Sequence, residues 1–269
     1  MKVLVIGDNC TDIFITGRVD RLCPEAPVPV LNPTSKSLNP GMAGNVYENM
    51  RSLNPEADVC FVCQDTSITK TRYVDATSGY ILLRVDENDK ISEQLTLEGL
   101  IERLTARNRR VEEFDILLIS DYNKGFLTEK NLHDIIDYFV GETNARVFLD
   151  TKKPLGYWSR NVDIVKINQK EYQDQLKFHA HPELFCENLV VTGGANGSRI
   201  IGDNEICVPS KRVEVMDVSG AGDTYMAALA SAYYKSENLE QSMEYANRAA
   251  GVAVSKHGVV AVKKSEVEI

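Results

Sequence analysis

The chain has no apolar run that approaches a membrane span, which takes about 20 consecutive apolar residues. Its opening run, Val3-Leu4-Val5-Ile6, is too short for a signal-peptide core and no small-residue cleavage site follows, so a cytoplasmic protein is expected. Basic residues are in deficit: 30 Lys and Arg face 39 Asp and Glu, a net charge of −9. The non-specific phosphate attraction on which nucleic-acid binding rests is therefore missing. A nucleotide is not excluded by that balance, because local backbone donors grip it. The six cysteines are scattered, and Cys60-Phe61-Val62-Cys63, formally CxxC, lies in an apolar strand-like run without a second pair. Neither a disulfide framework nor a metal or redox site is expected from them. The absence of a GxxxxGK(S/T) loop and of HRD or DFG sets excludes phosphate handling by the Walker and protein-kinase routes. Internal repeats and low-complexity tracts are absent too.

What is present reads as a chain that folds throughout, with 43% hydrophobic and 26% charged residues in 269 positions. Apolar runs that end in polar residues or glycine predict strands at Met1 to Ile6, Asp115 to Ser120, Arg146 to Asp150, Asp163 to Asn168 and Asn188 to Thr192. Helical patterns fall at Gly44 to Leu53, Glu93 to Arg107, Thr128 to Val140, Ala221 to Tyr234 and Leu239 to Ser255. Alternation of the two predicts an α/β fold, a doubly wound, mostly parallel sheet flanked by helices. Two stretches break the rhythm: residues 24–31 are too proline-rich for a central strand, and residues 69–86 read as a hairpin turning at Thr77-Ser78-Gly79. Together they predict a small β-lid, with segments at about 12–39 and 69–87 inserted in one domain spanning 1–269.

The strongest chemical signal is Asp217-Val218-Ser219-Gly220-Ala221-Gly222-Asp223-Thr224, which runs straight into an apolar helix. Glycines there leave backbone N–H groups bare at a helix N-terminus, where the dipole favours an anion such as phosphate. Asp223 falls in the first turn, where its carboxylate is expected to be held charged and able to accept a hydroxyl proton. By spacing alone the segment is equally an ordinary helix start capped by Ser219 or Asp217.

The sequence DVSGAGDTYMAAL resembles the signature of the ribokinase (PfkB-type) carbohydrate kinases. The resemblance extends over nearly the whole chain and implies a ribokinase-like fold, ATP and Mg2+ as cofactors, and Asp223 as the catalytic base beside Gly220, Ala221 and Gly222. Within that family, the segments RLCPEAPVPV (residues 21–30), SDYNKGFL (residues 120–127) and TKTRYV to LLRVD (residues 69–86) are similar to the kinase domain that phosphorylates D-glycero-D-manno-heptose 7-phosphate at its anomeric oxygen. The nucleotidyltransferase domain often fused to that kinase has no counterpart here, which implies a stand-alone kinase.

Residue by residue, the resemblance puts Asp8, Asp12, Gly41 and Asn45 on the sugar side, although Asp8 and Asp12 also suit plain turn chemistry. The family's usual second glycine is replaced by Met42. Asn168 and Glu171 match an NxxE motif whose glutamate helps hold magnesium, though the same pattern also caps helices. Thr192, Gly194 and Gly197 match the nucleotide loop, and Asn247 and His257-Gly258 lie at positions near the base. A phosphorylated acceptor needs cations, and Lys70, Arg72, Arg84, Lys124 and Lys152 are the candidates, with Lys124 foremost. The connection from Val62 to Thr69 is shorter than the family's, which normally carries a Gly-Asp-Asp turn and a helix there. The readings left open are a kinase of the same fold for another sugar or a nucleoside, and a catalytically silent sensor. A homodimer through the lid is expected because a small isolated sheet leaves open edges.

Overall fold

A computed structural model describes residues 1–202 and 205–268. The chain runs through β1 (Lys2–Gly7), β2 (Asn9–Leu22), β3 (Pro29–Met42), α1 (Ala43–Leu53), β4 (Asp58–Val62), β5 (Ile68–Asp75), β6 (Ile81–Glu87), α2 (Leu97–Thr105) and β7 (Ile116–Asp121). It continues through α3 (Glu129–Glu142), β8 (Arg146–Thr151), β9 (Ile164–Asn168), α4 (Gln169–Gln175), β10 (Asn188–Thr192), β11 (Ser198–Ile201), β12 (Cys207–Val208), α5 (Ala221–Ser236), α6 (Leu239–Val254) and α7 (Lys264–Val267).

The large sheet has the order β12-β11-β10-β9-β8-β7-β1-β4. From β4 to β10 every pairing is parallel, and β11 and β12 add an antiparallel edge. Alternate side chains feed two cores, as the two-residue period of a strand requires. Leu4, Leu117, Leu149, Val165 and Val191 pack on the side that carries α2 and α3, whereas Val3, Leu118, Phe148, Ile164 and Val190 pack on the side of α1, α5 and α6. Burial on both faces is why these strands read as continuous apolar runs. Lys166 is the exception, a buried lysine in β9 two residues beyond Ile164 and hence on the α5 side.

Helix α5 is apolar nearly all round, and Thr224 to Ser231 are all buried. It is enclosed by the sheet and by contacts with α1 and α6, which removes the polar stripe of an ordinary surface helix. The helix expected at 93–107 is shorter, Leu97–Thr105, because Thr96 caps it, and Glu93, ahead of the cap, pairs instead with Arg103 at 2.6 Å.

The second sheet, order β3-β2-β5-β6, is the expected lid. Its strands extend further than the sequence pattern indicates, to Asn9–Met42 and Ile68–Glu87. Proline is tolerated in β3 because that strand is at the edge; the segment 23–28 is the tip joining β2 to β3.

Met42 ends β3 and starts α1 with φ 55 and ψ −134, a conformation that only glycine adopts without cost. The backbone therefore has the geometry of the missing second glycine while holding a methionine buried beside Cys10 and Ile68. Burial of about 1.5–3 kcal/mol offsets strain of about 1–3 kcal/mol. Met42→Gly should accordingly stay within about 1 kcal/mol of the parent. Met42→Ala keeps the strain and leaves a cavity, and should cost about 2–5 kcal/mol. Urea denaturation compares the two; a glycine variant less stable than the alanine variant would contradict the strain.

Candidate active site

The carboxyl ends of β1, β7, β8, β9 and β10 lie along one edge of the large sheet, the edge at which open α/β folds place ligands. The start of α5 is set over it. Gly220 takes the left-handed conformation at φ 78, and a side chain there would come within 2.5 Å of the Asn45 amide nitrogen. No side chain caps the helix, so its first amides remain available to an anion. Ser219 and Asp217 are not caps: Asp217 accepts from the Ser219 N–H at 2.8 Å and from the Gly258 N–H at 3.2 Å, fixing the preceding turn.

Asp223 is buried with both oxygens engaged. Asn45 Nδ2 donates to Oδ2 at 3.0 Å and the Tyr122 hydroxyl donates to Oδ1 at 2.7 Å. Asn45 is itself anchored, since Asn49 Nδ2 donates to its Oδ1 at 2.9 Å and Val262 N–H donates to Asn49 Oδ1 at 3.0 Å. Burial pushes the Asp223 carboxyl up to about 6, against the lowering effect of Asn45, Tyr122 and Lys166. This corrects the expectation that the helix start holds the group fully charged: desolvation outweighs the dipole. The group is still mostly ionised at neutral pH, and it is a stronger base than an exposed aspartate.

Two cavities meet at this segment. A polar cleft of about 170 Å³ is lined by Asp12, Gly41, Tyr122, Gly220 and Asp223 with Lys70, Arg72 and Arg84 from the lid. A larger, mainly apolar cavity of about 400 Å³ on the other side is lined by Ala221, Gly222, Thr192, Gly194, Gly197 and Asn247. Beneath Gly222 lies the Lys166 ammonium, 3.2 Å from where a side chain would begin, in a buried ion pair with Asp150.

The profile of the pfkB family carbohydrate kinases matches residues 80–265, more than half of the chain. The chain belongs to the pfkB family. Among curated relatives, the bifunctional protein HldE of Nitratiruptor sp. is 30% identical over 305 aligned positions, covering 99% of this chain and 64% of that protein. HldE of Hyphomonas neptunium is 34% identical, covering 99% of this chain and 63% of the relative. The chain thus spans less than two thirds of the length of those relatives. Among solved structures, the ribokinase of Thermotoga maritima has a TM-score of 0.72 at 18% identity, covering 99% of this chain and 97% of that one. Phosphofructokinase-2 of Escherichia coli has a TM-score of 0.73 at 17% identity, covering 100% and 96%. The fold is ribokinase-like, and the family is that of the pfkB carbohydrate kinases.

The residues matched to the family's motifs divide into two groups. Asp12, Gly41, Arg84, Gly220 and Asp223 line the cleft, and Asn45 reaches it through Asp223. A side chain at Gly41 would run into the Asp12 carboxylate, so the close approach needs glycine. Thr192, Gly194, Gly197, Asn247, Ala221 and Gly222 line the apolar cavity, and Asn247 Nδ2 donates to the Val208 carbonyl at 3.0 Å. Other residues lie off the cleft. Asp8 is fully buried and accepts from the backbone N–H groups of Tyr122 and Lys124 at 2.9 and 3.1 Å. The Lys124 ammonium pairs with Asp89 at 2.6 Å and does not line the cleft, so Lys70, Arg72 and Arg84 take the place expected for it. Asn168 and Glu171 form a capping box on α4, and Glu171 also pairs with Lys152. His257 is exposed.

Two residues escaped the sequence reading, Lys166 and Tyr122. The signal for Lys166 was a lone lysine within the apolar strand DIVKIN, since lysine is almost never buried without a partner. No local signal marks the phenol of Tyr122, whose partner Asp223 is 101 residues away.

A carboxyl group whose folded value, about 6, exceeds its unassisted value of 3.8 binds protons more readily folded than unfolded. Ionising it costs stability as pH rises from about 4 to about 6, and the cost persists above that. Asp223→Asn cannot ionise. Its melting temperature should exceed the parent's at pH 7.5, and the advantage should shrink towards pH 4. Melting curves across that range check this; a pH-independent difference contradicts it.

Proposed function

We propose that the protein transfers the terminal phosphoryl group of ATP to a hydroxyl of a phosphorylated sugar, with D-glycero-D-manno-heptose 7-phosphate the first candidate acceptor. The observation that carries the reading is the junction of the two cavities at Gly220–Asp223. The apolar cavity suits a nucleotide base and ribose, and the polar cleft suits a sugar. A triphosphate reaching from the first towards the second would pass over the amides that start α5, with Lys166 below Gly222. Asp223 takes the proton of the acceptor hydroxyl, whose oxygen forms a bond to the γ-phosphorus. The bond from that phosphorus to the β,γ-bridging oxygen breaks, and ADP leaves with the electron pair. In such a loose transition state positioning and charge neutralisation carry most of the catalysis.

Three cations in one small cleft, Lys70, Arg72 and Arg84, favour an acceptor that already bears a phosphate. Asp12, paired with Arg72, is left to accept from sugar hydroxyls. The relatives named HldE, at 30–34% identity, point the same way.

Magnesium is inferred as the partner of ATP, with Glu171, whose oxygens accept from the Asn168 N–H and pair with Lys152, as the carboxylate that would be released to it. Among the described residues no group of three or more His, Cys, Asp or Glu forms a cage for a metal ion, and magnesium is commonly held by one or two carboxylates with substrate phosphates and water. Glu171 would hold it, and the ion would neutralise charge on the phosphates.

A second copy of the chain is inferred to cover the lid. Leu22, Leu38, Ile81 and Leu83 of that sheet are more than half exposed, an apolar surface of the kind that marks an interface. Analytical ultracentrifugation at micromolar concentration should give a dimer that Ile81→Asp combined with Leu83→Asp dissociates; a monomeric parent contradicts this.

Asp223→Asn should keep the fold and lower kcat by about 10²–10⁴-fold. Purified protein with ATP, magnesium and a panel of sugars, sugar phosphates and nucleosides tests the reading. Turnover confined to unphosphorylated acceptors would overturn the phosphate assignment, and binding without turnover would leave a sensor.

A further inference from the structure

Asp8, which lies off the cleft, is joined to the centre of the site through Tyr122, the donor to Asp223 Oδ1. Asp8 Oδ2 accepts from the N–H groups of Tyr122 and Lys124, and the Asp8 N–H donates to the Ser120 carbonyl at 3.2 Å. The loop is held from its other side as well: Asn123 N–H donates to Asp121 Oδ1 at 3.0 Å, and Asp121 is locked by Thr151 and Lys153 at 2.6 and 2.7 Å. The Lys124 carbonyl accepts from the Ile91 N–H at 2.8 Å. Above this loop the Tyr122 ring is flanked by two ammonium groups, Lys152 at 5.2 Å and Lys70 at 5.8 Å from its centre, each an attractive contact with the ring. Backbone and ring are thus both fixed, and the phenol has one direction in which to donate, towards Asp223 Oδ1.

We propose that Tyr122 is the positioning residue of the Asp223 carboxylate: its hydroxyl, aimed by Asp8 through the backbone of residues 122–124, orients Oδ1 at the edge of the acceptor cleft and holds the group ionised. The inference rests on the reading of Asp223 as proton acceptor. A donor to the charged form stabilises that form, and Asn45 does the same for Oδ2 from α1. The other charged or titratable groups facing Asp223 are Cys10 and Asp12 from β2, Lys70 and Arg72 from β5 and Arg84 from β6 across the cleft, Asp150 and Lys152 at the end of β8, and Lys166 from β9. Asp150 opposes ionisation and the lysines favour it; Tyr122 and Asn45 are the groups that also fix the direction of the oxygens. Asp8, matched by resemblance to the sugar side, acts on this account from below the site.

The test is a 13C titration of the aspartate carboxyl groups, with the Asp223 resonance assigned by its loss in Asp223→Asn. Tyr122→Phe removes one oxygen and keeps the ring. Its Asp223 midpoint should rise by about one pH unit, the size expected for losing a hydrogen bond to a charged group, and the acid limb of kcat/KM should move up with it. An unmoved midpoint overturns the proposal, even if Asp223→Asn has lost turnover and the base reading stands. Parent-like turnover in Asp223→Asn overturns both. Should Tyr122→Phe not fold, the parent decides. A slowly exchanging tyrosine hydroxyl proton that titrates with the Asp223 carboxyl supports the proposal, and its absence overturns it.

Discussion

A carboxylate kept out of water is stable only where fixed donors replace the solvent, and much of this site follows from that requirement at Asp223. Its two donors come from α1 and from the loop after β7, elements that lie far from α5 in sequence and are brought to it by the fold. Asn45 needs Asn49, and Asn49 needs the backbone at Val262, so the carboxylate ties the first helix to the C-terminal segment. The left-handed turn at Gly220 brings the helix start close enough to Asn45 for these bonds to form. Position and ionisation of one side chain therefore depend on the packing of the whole α1–α5 layer.

The same layout explains how an acidic protein can handle polyanions. A net charge of −9 acts over the surface and is screened within about 10 Å at ordinary salt. At the site the local charges differ in sign: Lys70, Arg72 and Arg84 face the cleft, and Lys166 lies under the helix start. Arg72, Arg84 and Lys166 have acidic partners in Asp12, Asp86 and Asp150, which keeps them ordered in the absence of an anion.

The parallel strands were legible because burial on both faces leaves an unbroken apolar run; the Gly220–Asp223 segment was legible through its resemblance to a family signature, since its glycines by spacing alone read equally as an ordinary helix start. The lid was legible from its prolines and its hairpin turn, though not the 14-residue lengths of β2 and β3, which come from pairing with each other along their whole extent. Side-chain partnership was the layer the sequence did not carry. Lys124 stands within a family motif, yet its ammonium goes to Asp89 and its backbone to Asp8. Glu171 looks outward from a motif and inward to a capping box at once. The environment of Asp223 was misjudged for a related reason: the helix start is visible in the sequence, whereas the burial that outweighs it is a property of the packed layers.

The central claim is that phosphate passes from one cavity to the other over the first amides of α5. A crystal structure with magnesium, a non-hydrolysable ATP analogue and a sugar phosphate tests it most directly. The account predicts the base in the cavity lined by Asn247 and Gly194, the γ-phosphorus over Gly220–Gly222, and an acceptor hydroxyl against Asp223. A triphosphate seated away from that helix start would contradict it.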